Sequence, residues 1–202
     1  MKIYKIPTWA RLTHMQLTFS GAIIMAMGSV WVHYTACQSS LKSYNATDTD
    51  IDIEMYFTPE DPCMDLIIKK ILSAKKRILV QAYVITSEKI ARALIQAHQK
   101  KIKVQLLVDK NTQSSKGSKI DLMLQYGIPI IIDTPSPFGI AHSKTMIIDD
   151  TYVITGSFNW TDGAQFKNSE TVVIIKGKDS NRKFKNNWYK RAKSGKKLKS
   201  IR

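Results

Sequence analysis

The chain is poor in the residues that build metal centres. It has 202 residues, of which two are cysteines, Cys37 and Cys63, and four are histidines. No Cys-x-x-Cys pair or Cys/His cluster has the spacing of a zinc site, so no metal site and no cofactor is expected. Acid is scarce too: 16 Asp and Glu stand against 31 Lys and Arg, a formal net charge of +15. Three of those charges, Lys2, Lys5 and Arg11, lie in the first 37 residues, which hold no acid, so +12 stays with the rest. A surplus of this size on a small body favours a polyanionic partner, through steering and counterion release. It is concentrated at the end of the chain, closed by Lys193, Lys196, Lys197, Lys199 and Arg202, with a basic tail over 195–202. No internal repeat is visible, and the length suits one domain with a real core.

Charge of either sign is missing from Leu12 to Leu41. The apolar centre, LTFSGAIIMAMGSVWV, follows Lys2, Lys5 and Arg11, which is the layout of a signal peptide or an uncleaved signal anchor over residues 1–37. Met15–Ala36 approaches the ~20 residues that span a bilayer. Basic residues before the span keep the N-terminus cytoplasmic and send the body across. The expected location is therefore exported, periplasmic or secreted, or held at a membrane by this segment. Residues 38–50, QSSLKSYNATDTD, are polar and aperiodic and read as a linker.

From residue 51 the pattern alternates between two periods. Ile51–Phe57, RILVQAYV (77–84), KVQLLVD (103–109), IPIIID (128–133), Ile140–Ile148, Tyr152–Thr155 and Thr171–Ile175 read as strands. CMDLIIKKILSAKK (63–76), EKIARALIQAHQKK (88–101), Lys119–Tyr126 and about Asn181–Lys193 read as helices, with Ser87 opening the second and Gly127 closing the third. Strands separated by helices imply βαβ units, hence an α/β domain with a mostly parallel, mixed central sheet covered on both faces.

The densest chemistry lies in AHSKTMIIDDTYVITGSFNWTDGAQFKNSE, residues 141–170. Polar and apolar residues alternate from His142 to Thr145, which puts His142 and Lys144 on one face of an extended strand. An imidazole beside a fixed cation suits attack on a phosphate: the ring supplies nucleophile or acid and the ammonium holds an anionic oxygen. Asp149 lies an odd number of residues from Lys144, on the other face, and is expected to be structural. Ser157 and Asn159 in the Gly156-Ser157-Phe158-Asn159 turn have side chains able to donate hydrogen bonds to charged oxygens.

This stretch resembles the signature of the phospholipase D superfamily: His142-x-Lys144, four residues, Asp149, then Gly156-Ser157-x-Asn159, then Asn168-x-Glu170. The resemblance covers about residues 51–193. It implies an α/β/α sandwich over a catalytic domain 51–194 and a metal-independent phosphodiesterase. It also assigns roles. His142 is the nucleophile that forms a phosphohistidine, Lys144, Ser157 and Asn159 hold the phosphate, and Glu170 hydrogen-bonds the far nitrogen of His142. Asn168 shapes the turn before Glu170.

A second His-x-Lys is absent, yet the reaction needs one histidine to attack and one to protonate the leaving oxygen. The similarity is thus to the small single-motif endonuclease branch, which implies a homodimer with a shared site on the two-fold axis. The expected substrate is nucleic acid, DNA or RNA, contacted through its backbone. The alternative is the same chemistry on an anionic phospholipid such as cardiolipin, with Phe138, Phe158 and Trp160 forming an apolar loop. A third reading is a nucleic-acid-binding protein with a dead site. Activity in chelator separates the third from the first two.

Overall fold

A computed structural model describes residues 51–136 and 138–198. The N-terminal segment 1–37, the linker 38–50 and the last four residues of the basic tail lie outside them.

The described chain runs β1 (Asp52–Thr58), α1 (Cys63–Ser73), β2 (Arg77–Ala82), α2 (Glu88–Gln99), β3 (Lys103–Asp109), α3 (Ile120–Gln125) and β4 (Ile130–Asp133). It continues with β5 (Thr145–Ile148), β6 (Tyr152–Gly156), α4 (Asp162–Phe166), β7 (Glu170–Lys176), α5 (Lys178–Ser194) and β8 (Lys196–Lys197). All eight strands form one sheet in the order β1-β7-β6-β5-β2-β3-β4-β8. The helices lie on both faces, so the α/β/α arrangement holds.

The balance within the sheet is the reverse of the expected one. Only β2–β3 and β3–β4 are parallel neighbours, and the other five pairs are antiparallel. The βαβ reading is right for β2-α2-β3-α3-β4. It fails at β1, because β5, β6 and β7 insert between β1 and β2 and reverse direction at each step, with a tight turn from β5 to β6 and α4 in the connection from β6 to β7. The basic tail also enters the sheet, since Lys196 and Lys197 pair with Ile132 and Ile131.

Burial follows side-chain period. In α1, Cys63, Met64, Ile67 and Ile71 face the sheet, and in α2 so do Ile90, Ala91, Leu94, Ile95 and Ala97. They pack on Ile78, Val80, Val104, Leu106, Met146, Ile148, Ile154, Val172 and Ile174, the alternate positions of five strands. The opposite face is smaller: Leu79, Leu107, Ile131 and Ile147 pack on Trp188 and Phe184 of α5. Trp188 donates its indole N–H to the Val80 carbonyl (3.0 Å), and Arg191 forms a fork on the buried Asp133 carboxylate (2.6 Å). These contacts fix α5 over β2–β5, and near its start Asn181 donates to the Tyr152 carbonyl of β6 at 3.0 Å. Gly127, in the left-handed region at φ +80°, ends α3 as its sequence position suggests.

Candidate active site

The strand directions bring the ends of β1, β2, β3, β4 and β6 and the starts of β5 and β7 to one end of the sheet, so residues just beyond them become neighbours.

His142 and Lys144 precede β5, which starts at Thr145; Ile140–Lys144 is irregular and not strand as expected. Three contacts order this segment. The buried Asp109 carboxylate, at the end of β3, accepts the Ala141 N–H at 2.8 Å, and its other oxygen accepts Asn111 N–H at 2.9 Å. The Tyr83 ring, just after β2, packs against the His142 ring with centroids 4.4 Å apart. Lys144 Nζ sits 4.9 Å from the same Tyr83 ring and donates to the His142 carbonyl at 2.8 Å. Both side chains therefore meet one aromatic platform, as the two-residue offset suggests.

The exposure of the pair differs. Lys144 is only 7% exposed, whereas His142 is open to solvent. Burial lowers the Lys144 pKa, and the charge of Glu170 opposes that shift. A desolvated ammonium keeps more of its Coulomb attraction for a phosphate than a hydrated one.

Ser157 and Glu170 form the other half. Gly156 ends β6 at φ +141°, and a Cβ there would lie well under 3.0 Å from the Thr171 carbonyl oxygen. Only glycine lets β6 and β7 close up here. As a result Ser157 N–H donates to Thr171 O (3.0 Å), Thr171 N–H donates to Ser157 Oγ (3.0 Å), and Ser157 Oγ–H donates to Glu170 Oε2 (2.5 Å). Asn168 Nδ2 donates to Glu170 Oε1 at 2.8 Å, and the Thr58 hydroxyl braces the same turn through Asn168 O and Glu170 N, each at 3.0 Å. Both Glu170 oxygens are thus held by Ser157 and Asn168. The expected hydrogen bond from Glu170 to the His142 ring is not made among the described residues, where Ser157 and Asn168 occupy the two carboxylate oxygens.

Asn159 is positioned by its neighbours. Phe158 and Trp160 are buried in the core. Trp160 donates its ring N–H to Gln81 O (3.0 Å) and its backbone N–H to Val84 O (3.1 Å), and its carbonyl accepts Thr86 and Ser87 N–H, each at 3.0 Å. The loop is thereby stitched to the end of β2, beside Tyr83. The Asn159 side-chain oxygen is buried and accepts no hydrogen bond among the described residues.

Asp149 lies at the far end of the sheet. At φ +55° in the β5–β6 turn, its carboxylate accepts the backbone N–H groups of Lys75 (2.9 Å), Lys76 (2.7 Å) and Arg77 (3.0 Å). It anchors the turn to the start of β2. Tyr83 and Asp109 were not singled out in the sequence as site residues. The only signal for either is its place at the end of an apolar strand, where site residues of open α/β sheets collect.

A family model described as "Cardiolipin synthase, PLD-like domain" matches residues 67–191. A protein named phospholipase D from Rickettsia typhi is 35% identical over 164 residues, covering 76% of this chain and 79% of that one. A mitochondrial cardiolipin hydrolase from Xenopus laevis is 29% identical over 114 residues, 56% of this chain and 53% of the other. Among solved structures, a phospholipase D family member, Nuc from Salmonella typhimurium, superposes with a TM-score of 0.70 at 30% identity, over 75% of this chain and 100% of that one.

Proposed function

The chain belongs to the phospholipase D superfamily of phosphodiesterases, and from that premise we propose that it is a non-specific endonuclease that cleaves nucleic acid backbones without a metal. A ring nitrogen of His142 attacks the backbone phosphorus. The P–O bond to the leaving nucleoside breaks as that oxygen takes a proton from His142 of the partner subunit. Water then attacks the phosphohistidine, gives its proton to that second imidazole, and frees the first. Lys144, Ser157 and Asn159 stabilise the charge that grows on the phosphate oxygens. In this reading one homodimer holds one working site.

The observation that carries nucleic acid over lipid is the burial of the aromatic residues of the motif. Phe158 and Trp160 lie in the core, so they form no apolar seat for acyl chains, while the body has a +12 surplus for a phosphate backbone. A second reading, hydrolysis of an anionic phospholipid, is favoured by the relatives named phospholipase D and cardiolipin hydrolase and by Phe138, fully exposed, with half-exposed Ile140 before His142. Export to the periplasm or medium belongs to the same proposal and rests on the uncharged segment 12–41; cell fractionation checks it.

Two experiments test the mechanism. DNA labelled at its phosphates, quenched in alkali during turnover, is expected to leave label on the wild-type chain and none on His142→Asn. Label retained by His142→Asn excludes His142 as nucleophile. Mixing wild-type chains with excess His142→Ala chains, with exchange, is expected to lower activity as the square of the wild-type fraction. A linear fall refutes the shared site.

A further inference from the structure

Two dense runs of positive charge lie far from His142. Lys75, Lys76 and Arg77 lead into β2, and Lys100, Lys101 and Lys103 lead into β3. The runs are neighbours, because β2 and β3 pair in parallel with Arg77 opposite Lys103. They mark the end of the sheet opposite the active site: the strand path from Arg77 to Tyr83, at ~3.3 Å per residue, is roughly 20 Å. Cations suit helix C-termini, which accounts for Lys75, Lys76, Lys100 and Lys101 after α1 and α2. It does not account for Arg77 and Lys103. Both belong to strands and share the α5 face with Leu79 and Leu107, where an apolar residue is the ordinary choice.

On that face the two strand starts open into a groove of about 410 Å³, lined by Lys76, Arg77, Leu79, Lys103, Gln105 and Tyr189. Leu79 stands opposite Gln105 in register and, 1% exposed, forms the floor. Tyr189 of α5 is the wall. It is 44% exposed, and its ring is held edge-on by Trp188 with centroids 5.3 Å apart. Acid does not cancel the charge. The Asp149 carboxylate is engaged on backbone N–H groups, and Asp150 is shared by Lys185 at 2.5 Å, Arg77 at 3.7 Å and Lys76 at 3.9 Å. Lys103 has no carboxylate partner among the described residues.

On the nucleic-acid reading above, we propose that this groove is a second nucleic-acid site, remote from the catalytic one, that holds the flank of a long substrate. Lys76, Arg77 and Lys103 take backbone phosphates, and Tyr189 offers its ring to a base. The shape favours a strand over an anionic membrane, because a flat layer of headgroups reaches the rim of a groove and not a floor of Leu79 and Gln105. α5 supplies the path between the two sites. It begins at this end, where Asn181 bonds Tyr152, and reaches the active-site end, where Arg191 grips Asp133. Its exposed Arg182, Asn186, Lys190 and Lys193 are spaced three or four residues apart, which puts them along one outer face.

The test uses the full chain with Lys103→Gln and with Lys76→Gln plus Lys103→Gln. Lys69→Gln, an exposed lysine of α1 on the other side of the sheet, is the charge control. All the replaced lysines are exposed, and circular dichroism checks the fold. Two substrates are compared: DNA of about 40 base pairs, long enough at ~3.4 Å per pair to reach both sites, and an aryl phosphodiester with a single phosphate. On the DNA, Lys103→Gln is expected to raise KM about tenfold and the double variant further, with kcat unchanged. On the aryl diester all variants are expected to match wild type. In a His142→Asn background, which binds without cutting, the slope of log affinity against log salt is expected to fall by about one for Lys103→Gln and about two for the double variant. Groove variants that bind and cleave the long DNA like wild type, or like Lys69→Gln, overturn the second site. A loss of kcat on the aryl diester overturns its remoteness. Unchanged DNA affinity with weakened binding to phosphatidylglycerol vesicles gives the groove to a membrane and overturns the proposal. A wild type that hydrolyses the aryl diester but not DNA overturns the nucleic-acid reading itself.

Discussion

Gly156→Ala is the most exacting substitution the site allows, because two independent penalties fall on one methyl group. At φ +141° an alanine is strained by roughly 1–3 kcal/mol. Its Cβ would also press on the Thr171 carbonyl and lie 3.0 Å from that carbonyl carbon and 3.3 Å from Val172 Cα. All three are backbone atoms in the middle of a sheet and cannot swing away, so overpacking adds about 1–3 kcal/mol. The sum, roughly 2–6 kcal/mol, is a large share of the ~5–15 kcal/mol that holds a domain together. At about 2–4 °C per kcal/mol for a body of this size, the melting temperature is expected to fall by about 5 °C or more. Gly163→Ala is the control. Nothing lies closer than Thr161 Oγ1 at 3.8 Å, and the residue sits in α4, so alanine there is expected to be neutral or to stabilise by up to ~1 kcal/mol. The assay is urea and thermal unfolding of both variants beside wild type, with turnover measured on whatever folds. Where Gly156→Ala folds, the strands must part, and the Ser157–Glu170 pair and turnover are expected to suffer together. A Gly156→Ala protein within about 0.5 kcal/mol of wild type and fully active refutes the reasoning.

Other expectations follow from the same geometry. Asp149→Ala removes the acceptor of three backbone N–H groups and is expected to cost about 2 kcal/mol in urea unfolding, with turnover per folded molecule unchanged, because the residue is remote from His142. Lys144 has a lowered pKa, so raising the pH removes its charge earlier than for an ordinary lysine; the alkaline limb of the pH–rate profile is expected below pH 10.5, and activity flat beyond that value contradicts a role for the ammonium. DNA affinity is expected to fall steeply with salt, about one power per phosphate neutralised, and deleting 195–202 to flatten the slope modestly; a salt-insensitive affinity points away from nucleic acid.

Most elements were legible in the sequence because their apolar residues keep a clean period, as in KVQLLVD and EKIARALIQAHQ. The sheet order was not. Direction and adjacency depend on which strands slip between β1 and β2, and no local pattern carries that. α4 escaped notice because it is one short turn, capped only by Thr161 accepting Ala164 N–H at 3.0 Å. In the site, the motif residues announce themselves by spacing, and the structure brings His142, Lys144, Ser157, Asn159, Asn168 and Glu170 to one end of the sheet. Tyr83 and Asp109 act through contacts spanning tens of residues of sequence, which spacing within one stretch cannot reveal. β1 is the instructive misfit: its alternation is real, but its apolar side faces away from this chain's own core.

The central claim, phosphodiester cleavage of nucleic acid carried by side chains alone, is tested most directly by one paired assay. Purified full-length protein and its His142→Ala variant are given DNA and cardiolipin vesicles separately, both in millimolar EDTA. The account predicts DNA cleavage by the wild type, loss of at least roughly 10²–10⁴-fold in the variant, and little or no release from cardiolipin. Cleavage that stops in EDTA and returns with magnesium, or turnover of cardiolipin but not DNA, contradicts it.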